Sequence, residues 1–180
     1  MILIKKILPV FGLPILLQGC LVFNSVSYEV NLEDTKSGTV TIEISDIRSD
    51  AMNTTELEQD KNQLFQELWK DEEFVSQMKD EGKNILERDL YIANGKLKGK
   101  VRYAFDDVSK VEGIIYQEPF YLITIQLQDS IISTNGEIIL SEDHKRIMWD
   151  NSMKTLKFKM FSADVESGSL VDLTKYLDKE

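Results

Sequence analysis

The chain has 180 residues, of which 21 are basic and 31 are acidic, and its net charge is −10. This acidic balance disfavours nucleic acids and bare anionic lipid surfaces as partners. The single cysteine excludes a scaffold held together by disulfides within the chain, and the length suits one compact domain.

Residues 1–19 have the organisation of a bacterial export signal. Lys5 and Lys6 supply positive charge, and residues 7–17 form an apolar run that two prolines interrupt. A run of this length is too short to cross a hydrocarbon core of about 30 Å as a helix. The sequence therefore predicts a signal peptide rather than a transmembrane helix.

Leu17-Gln-Gly-Cys20 resembles the lipobox of bacterial lipoproteins. Leu17 and Gly19 match the apolar and small residues of that motif, while Gln18 departs from the residues commonest at its position. The resemblance implies that a signal peptidase cleaves before Cys20, which becomes the lipidated first residue. The alternative is an ordinary secretory signal or a membrane-anchoring helix with an incidental cysteine. The lone cysteine stands where the lipobox requires it, which favours the lipoprotein.

Lipidation implies a location and a domain organisation. Each buried CH₂ contributes about 0.8 kcal/mol, so several acyl chains hold a protein stably to a membrane. Leu21 replaces the aspartate associated with inner-membrane retention, which implies the periplasmic face of the outer membrane if the host is Gram-negative.

Removal of the signal peptide with Lys5 and Lys6 leaves 19 basic and 31 acidic residues, a net charge of −12. Residues 20–25 are then a short tether and 26–180 a single extracytoplasmic domain.

The first half of this domain reads as a hairpin followed by a helix. Alternating apolar residues predict strands over 26–32 and 40–44 around a polar turn. Asn53-Thr-Thr55 offers N-caps, Thr55 with Glu58 forms a capping-box pattern, and Gly82 is a stop signal. Between them lie apolar residues at helical spacing, namely Leu57, Leu64, Phe65, Leu68, Val75 and Met78. We predict one long helix, although the pattern leaves open a break near Asp71.

A second hairpin is specified by its turn. Asn94-Gly95 joins strands over 86–92 and 97–105, and this dipeptide is the strongest short-range hairpin signal. A two-residue turn predicts four cross-strand pairs: Ala93 with Lys96, Tyr91 with Lys98, Asp89 with Lys100, and Glu87 with Arg102. The basic stripe formed by Lys96, Lys98, Lys100 and Arg102 could bind anions. The acids opposite Lys100 and Arg102 instead favour a neutralised, solvent-facing surface, with Lys96 and Lys98 left at the tip.

The second half predicts further antiparallel strands over 120–128, 131–134, 137–140, 145–149 and 155–161. The first of these is apolar on both faces and suits the middle of a covered sheet. Ser169, with Asp172 three residues later, predicts a short C-terminal helix. The fold class is therefore α+β, an antiparallel sheet built of hairpins with one long helix packed on one face and a short C-terminal helix.

Motifs for catalysis, cofactors or metals are not found in the sequence, so no cofactor and no metal are predicted. His144 could recruit Glu142 and Asp143 to a metal, but three adjacent turn residues rarely converge on one ion, which favours a solvated loop. The larger aromatic residues either pack in the core or line a cavity beneath the helix. They are Trp69, Tyr116, Phe120, Tyr121 and Trp149.

One further resemblance is local. Ser133-Thr-Asn-Gly-Glu137, Ser141-Glu-Asp and Met148-Trp149-Asp150 together resemble the Asn-Gly to Trp-Asp hairpin of LppM-type envelope lipoproteins. The stretch covers under a fifth of the mature chain. It implies a β-rich domain of the kind proposed to bind envelope lipids, without assigning a role to any residue.

The sequence thus predicts a protein that is attached to the membrane through Cys20. We expect a non-catalytic envelope module that binds a lipid or a protein partner. The alternative is a carboxylate-based envelope hydrolase without a recognisable motif. A pocket with two carboxylates of raised pKa would favour the enzyme. A dry apolar cavity would favour lipid binding, and a flat exposed apolar patch would favour a protein partner.

Overall fold

The computed structural model describes residues 21–161 and 170–179, so the predicted signal peptide, Cys20 and Ser169 lie outside the described residues. The described chain folds as α+β. Its strands are β1 (Leu21–Val22), β2 (Ser25–Leu32), β3 (Gly38–Ser45), β4 (Arg48–Ser49), β5 (Lys83–Ala93), β6 (Lys96–Phe105), β7 (Ile115–Gln117), β8 (Phe120–Gln126), β9 (Ser130–Thr134), β10 (Glu137–Leu140), β11 (His144–Asp150), β12 (Thr155–Phe161) and β13 (Val171–Asp172). Its helices are α1 (Thr54–Asn62), a π-helical segment (Gln63–Leu68), α2 (Glu72–Asp80) and two 3₁₀ helices (Val108–Lys110 and Thr174–Lys179).

The largest sheet has six antiparallel strands in the order β5-β6-β3-β2-β12-β9. Side chains alternate between its faces, as the sequence pattern predicts. On β2, for example, Tyr28 and Val30 are buried, whereas Ser27 and Glu29 are on the opposite, partly solvated face. The structure therefore has an inner face that carries the core and an outer face that carries charge.

A four-stranded sheet in the order β10-β11-β8-β7 contributes to the same core. The ring centroids of Trp149 on β11 and Phe158 on β12 are 5.8 Å apart, and Phe158 stacks on Tyr28 at 4.5 Å. β8 lies between β11 and β7, so the prediction of an interior strand is confirmed. The two sheets are thus joined by aromatic packing.

Asn135-Gly136 links the two sheets instead of closing a hairpin. β9 pairs with β12 in the larger sheet, and β10 pairs with β11 in the smaller one. The Asn135 Oδ1 atom accepts hydrogen bonds from Trp149 Nε1 at 2.9 Å and from the Lys157 amide at 2.7 Å. This amide side chain therefore holds one strand of each sheet, which is why the dipeptide is not available for a tight turn.

The prediction of one long helix is wrong. Helix α1 is capped by Asn53, whose Oδ1 accepts from the Glu56 amide, so the capping box on Thr55 and Glu58 is also wrong. The π-helical segment follows, and the chain breaks before Asp71, whose side chain caps α2 through the Glu73 amide. The end of α2 near Gly82 is as predicted, because Gly82 has a φ of 81° that favours glycine.

The remaining elements form a second, smaller core. The sheet β1-β4-β13, the π-helical segment and the C-terminal 3₁₀ helix meet around five buried residues. These are Ile47, Leu64, Phe65, Leu97 and Leu173. Asp172 caps the C-terminal 3₁₀ helix by accepting from the Thr174 amide, and the predicted cap Ser169 lies outside the described residues. The predicted short α-helix is therefore a 3₁₀ helix.

The register of the β5–β6 hairpin is confirmed at all four predicted pairs. Asn94 and Gly95 have φ angles of 55° and 70°, as a two-residue turn of this kind requires. The Lys100 ammonium nevertheless contacts the diagonal Glu87 carboxylate at 2.7 Å. Neutralisation of the basic stripe is thus confirmed for Lys100 and for Arg102, whose Nε atom lies 3.5 Å from the Glu87 carboxylate. The prediction that Lys96 is left over at the tip is wrong, because its Nζ atom pairs with Asp46 at 2.7 Å.

Candidate functional site

A small apolar cavity of about 60 Å³ lies between α2 and the inner face of the six-stranded sheet. Most of its lining comes from alternate positions of β2, β3, β5 and β6, which all point inward. Phe74 and Met78 close it from α2, because residues four apart share one helix face. The lining residues are Phe23, Val26, Tyr28, Ile42, Ile44, Phe74, Met78, Ile85, Val101, Tyr103 and Glu112.

Glu112 is the one acidic residue that lines this cavity in the described chain. It follows the 3₁₀ helix and has a φ of 51°, an uncommon conformation for a side chain of its size. Its neighbours Val111 and Ile114 are fully buried. Their burial fixes the loop and directs the Glu112 side chain to the cavity.

The environment of Glu112 favours its protonated form. Burial raises the pKa of the Glu112 carboxyl to about 7, against the opposing attraction of Lys83 and a hydrogen bond from Tyr28. Desolvation dominates because the surrounding side chains are apolar and solvate a negative charge poorly. Near neutral pH, this carboxyl therefore exchanges a proton readily inside an otherwise apolar site.

Two phenol groups accompany the carboxyl. Burial raises the pKa of Tyr28 and of Tyr103, and the nearby Glu112 raises both further. Both side chains therefore remain neutral hydrogen-bond donors. Tyr28 donates to Glu112, and the Tyr103 hydroxyl donates to the Lys110 carbonyl oxygen at 3.4 Å. The polar groups of the cavity thus form one cluster at Glu112.

A buried lysine acts on this cluster from the start of β5. Lys83 is 4% exposed, and its Nζ atom lies 3.1 Å from the Glu81 carboxylate. Its positive charge opposes the desolvation of Glu112. The site can therefore accommodate Glu112 in either protonation state, with Lys83 supporting the ionised one.

The described residues that the sequence suggested for a site do not line this cavity. His144 begins β11 instead of lying in a solvated loop, and its Nδ1 atom lies 2.5 Å from Asp143 Oδ1. Tyr121 and Trp149 are core residues, whereas Trp69 packs against the second core. The cavity lining includes none of the five aromatic residues considered for it. Leu17, Gln18, Gly19 and Cys20 lie outside the described residues.

Sequence reasoning missed Glu112, which falls between the predicted second hairpin and the strand predicted from residue 120. One local signal was present. Val108, Val111 and Ile114 recur every third residue, a spacing that indicates a buried face even in irregular structure, and all three are buried. A lone acid inside that pattern marks a carboxyl that burial would desolvate.

Comparisons with known proteins found no match among family models, curated proteins or solved structures. In the part of the chain that the structure describes, no helix is both long and apolar enough to span a membrane. The candidate site therefore rests on its own geometry.

Proposed function

We propose that this protein is a lipid-anchored envelope lipoprotein whose domain binds an apolar ligand in the cavity at Glu112. The observation that carries the proposal is an apolar cavity with its polar atoms gathered at one carboxyl. Apolar walls with a few convergent polar groups are the usual composition of a small-molecule site. The lipobox resemblance at Leu17–Cys20 supports attachment to the envelope membrane.

The chemistry of the cavity favours binding over hydrolysis. Glycoside hydrolysis by carboxylates generally requires an acid and a second carboxylate within reach of the same bond. In the described chain, Glu112 is the sole carboxylate of the cavity, and it is hydrogen-bonded to Tyr28 rather than to a second acid. A non-catalytic module therefore remains our proposal.

The size of the cavity limits what it holds at rest. A cavity of about 150 Å³ holds one benzene molecule, so 60 Å³ admits a group of only a few heavy atoms. A longer chain would have to displace Phe74 and Met78, which cover the cavity from α2. We propose that α2 moves to admit the apolar part, while a cationic or hydroxyl group of the ligand binds Glu112.

Short alkyl probes test this assignment. At about pH 8, n-propylamine and n-propanol should raise the melting temperature of the protein saturably, whereas propionate should not. The amine pairs with ionised Glu112, and the alcohol donates a hydrogen bond to it, but a carboxylate is repelled. Glu112→Gln should remove the advantage of the amine over the alcohol. Thermal unfolding followed by circular dichroism measures each effect.

A matched pair of variants locates the binding. Val101→Phe fills the cavity with an aromatic ring and should abolish the shift in melting temperature. Val75→Phe makes the same change at a half-buried residue of α2 that does not line the cavity, and probe binding should persist. Loss of binding in both variants, or in neither, would contradict the assignment.

The anchor is tested separately. Cys20→Ser should abolish incorporation of labelled palmitate and leave the precursor uncleaved, because in the lipoprotein family cleavage follows modification of the cysteine. Metabolic labelling followed by electrophoresis measures both results. Palmitate retained by the variant would rule out lipidation at Cys20.

A further inference from the structure

The strand registers identify one end of the six-stranded sheet. Ser25 at the start of β2 pairs with Ser45, which pairs with Lys98, which pairs with Tyr91. On the other side, Ser25 pairs with residue 161 of β12, which pairs with Ser130 of β9. This row crosses all six strands, a width of about 24 Å. We call it the N-terminal end of the sheet.

The proposed anchor is close to this end. Leu21, the residue after Cys20, pairs with Ser49, and the Asn24 amide donates to the Ser45 carbonyl oxygen at 2.9 Å. The chain between Cys20 and Ser25 is thus fixed by strand pairing rather than free to extend. If Cys20 carries lipid, the bilayer surface lies against the N-terminal end of the sheet.

Four large apolar side chains are exposed at this end. Met52, 95% exposed, follows β4 by three residues, and Ile92, 44% exposed, precedes the Asn94-Gly95 turn. Leu127, 41% exposed, and Leu140, 71% exposed, flank the opposite side, where Lys145 Nζ donates to the Asp129 carbonyl oxygen at 2.8 Å. By register, Ile92 lies at the β5 edge of this row, Leu127 and Leu140 lie near its β9 edge, and Met52 follows Ser49, the partner of Leu21.

The surroundings of these residues fit a bilayer interface. Lys98 lies on the hairpin beside Ile92, so a basic group accompanies apolar ones at the same end, while the neighbouring Lys96 is paired with Asp46. Ile138, on the same face of β10 as Leu140, continues the exposed apolar surface along the strand. Apolar side chains that enter the acyl boundary beneath basic groups are typical of surfaces that lie on a membrane.

We propose that the N-terminal end of the sheet docks on the lipid bilayer, with Met52, Ile92, Leu127 and Leu140 entering the boundary between headgroups and acyl chains. The inference rests on the proposed lipidation of Cys20. Docking fixes the orientation of the domain. It places the end of the cavity that Phe23 lines close to the membrane. An apolar ligand could then pass between the bilayer and the cavity without crossing open water.

Labels at single positions test the docking. The full lipidated chain is reconstituted in vesicles of phosphatidylethanolamine and phosphatidylglycerol with brominated acyl chains. Met52→Cys, Ile92→Cys, Leu127→Cys and Leu140→Cys each carry one environment-sensitive fluorophore, since Cys20 is blocked by lipid. Bromine quenching should be severalfold stronger at these positions than in Leu86→Cys and Ile115→Cys. The two controls are 45% and 50% exposed and lie away from this end.

The outcomes separate docking from anchoring. Equal quenching at all six positions in a chain that carries palmitate would overturn the docking and leave the anchor standing. Absence of palmitate would overturn both. As a second measurement, Leu140→Glu should lower the quenching at position 127 severalfold, whereas Ile115→Glu should leave it unchanged. No effect of Leu140→Glu would also contradict the docking, since a charge at that position opposes entry into the acyl boundary.

Discussion

Replacing Phe65 by alanine is expected to lower the free energy of unfolding by about 3–5 kcal/mol. Phe65 lies in the π-helical segment, is 0% exposed and belongs to the second core with Ile47, Leu97 and Leu173. Removing its ring leaves a cavity between elements that are far apart in the sequence and are fixed by strand pairing on one side. Urea denaturation of a chain that begins at Leu21 measures the loss.

Glu67→Ala is the matched control for this prediction. Glu67 is exposed two residues away in the same segment, and its carboxylate accepts a hydrogen bond from the Asn62 side chain at the surface. Its replacement should change the free energy of unfolding by no more than roughly 0.5 kcal/mol. Similar losses for the two variants would mean that the segment does not bury the face that carries Phe65.

The second hairpin could be predicted to the residue because its information is local. Asn94-Gly95 fixes the turn, and a two-residue turn leaves one register for every following pair. The choice of Glu87 rather than Asp89 as the partner of Lys100 could not be predicted in this way. It depends on side-chain conformations across a twisted sheet and on the irregularity between Ile85 and Glu87.

The prediction of a single helix was wrong because the spacing of apolar residues does not show where the apolar stripe rotates around the helix axis. Leu64 and Phe65 belong to the π-helical segment that packs on the second core, whereas Phe74 and Met78 face the cavity. The wider turns of the π-helical segment shift the apolar stripe, so that two short helices can cover different parts of one sheet. The Asp71 cap was visible in the sequence, but the tertiary contacts that make the break favourable were not.

The assignment of the strands to separate sheets also could not be predicted from local sequence patterns. The strand positions followed from alternation, but partner choice across β9 and β10 depends on Asn135, whose side chain binds both Trp149 and β12. The cavity could not be predicted from one segment either, because its lining combines five helices and strands with Phe23 and Glu112 from the connecting segments. Only the burial pattern around Glu112 was readable in advance. A polar group assembled by long-range packing has no spacing that a single segment reveals.

The stability of the protein should fall as the pH rises through the range in which Glu112 ionises. The pKa of this carboxyl is about 7 in the folded chain, against an ordinary value of 4.5. Between these two values, the folded state holds a proton that the unfolded state has lost, so raising the pH destabilises the fold. The cost is absent below about pH 4.5 and approaches about 3 kcal/mol above about pH 7.

Glu112→Gln should remove this dependence, because glutamine keeps the size and the hydrogen-bond acceptor for Tyr28 but carries no charge. The variant should match the parent protein near about pH 5 and exceed its free energy of unfolding by about 2–3 kcal/mol near about pH 8. Carboxylates whose pKa is lowered by ion pairs, such as Glu29 beside Lys157, affect both proteins equally and cancel in the difference. Glu142→Gln, at an exposed position, should follow the parent protein at every pH. Urea denaturation across this pH range measures all three proteins. A constant difference between the parent and Glu112→Gln would show that the carboxyl is solvated rather than enclosed by the cavity.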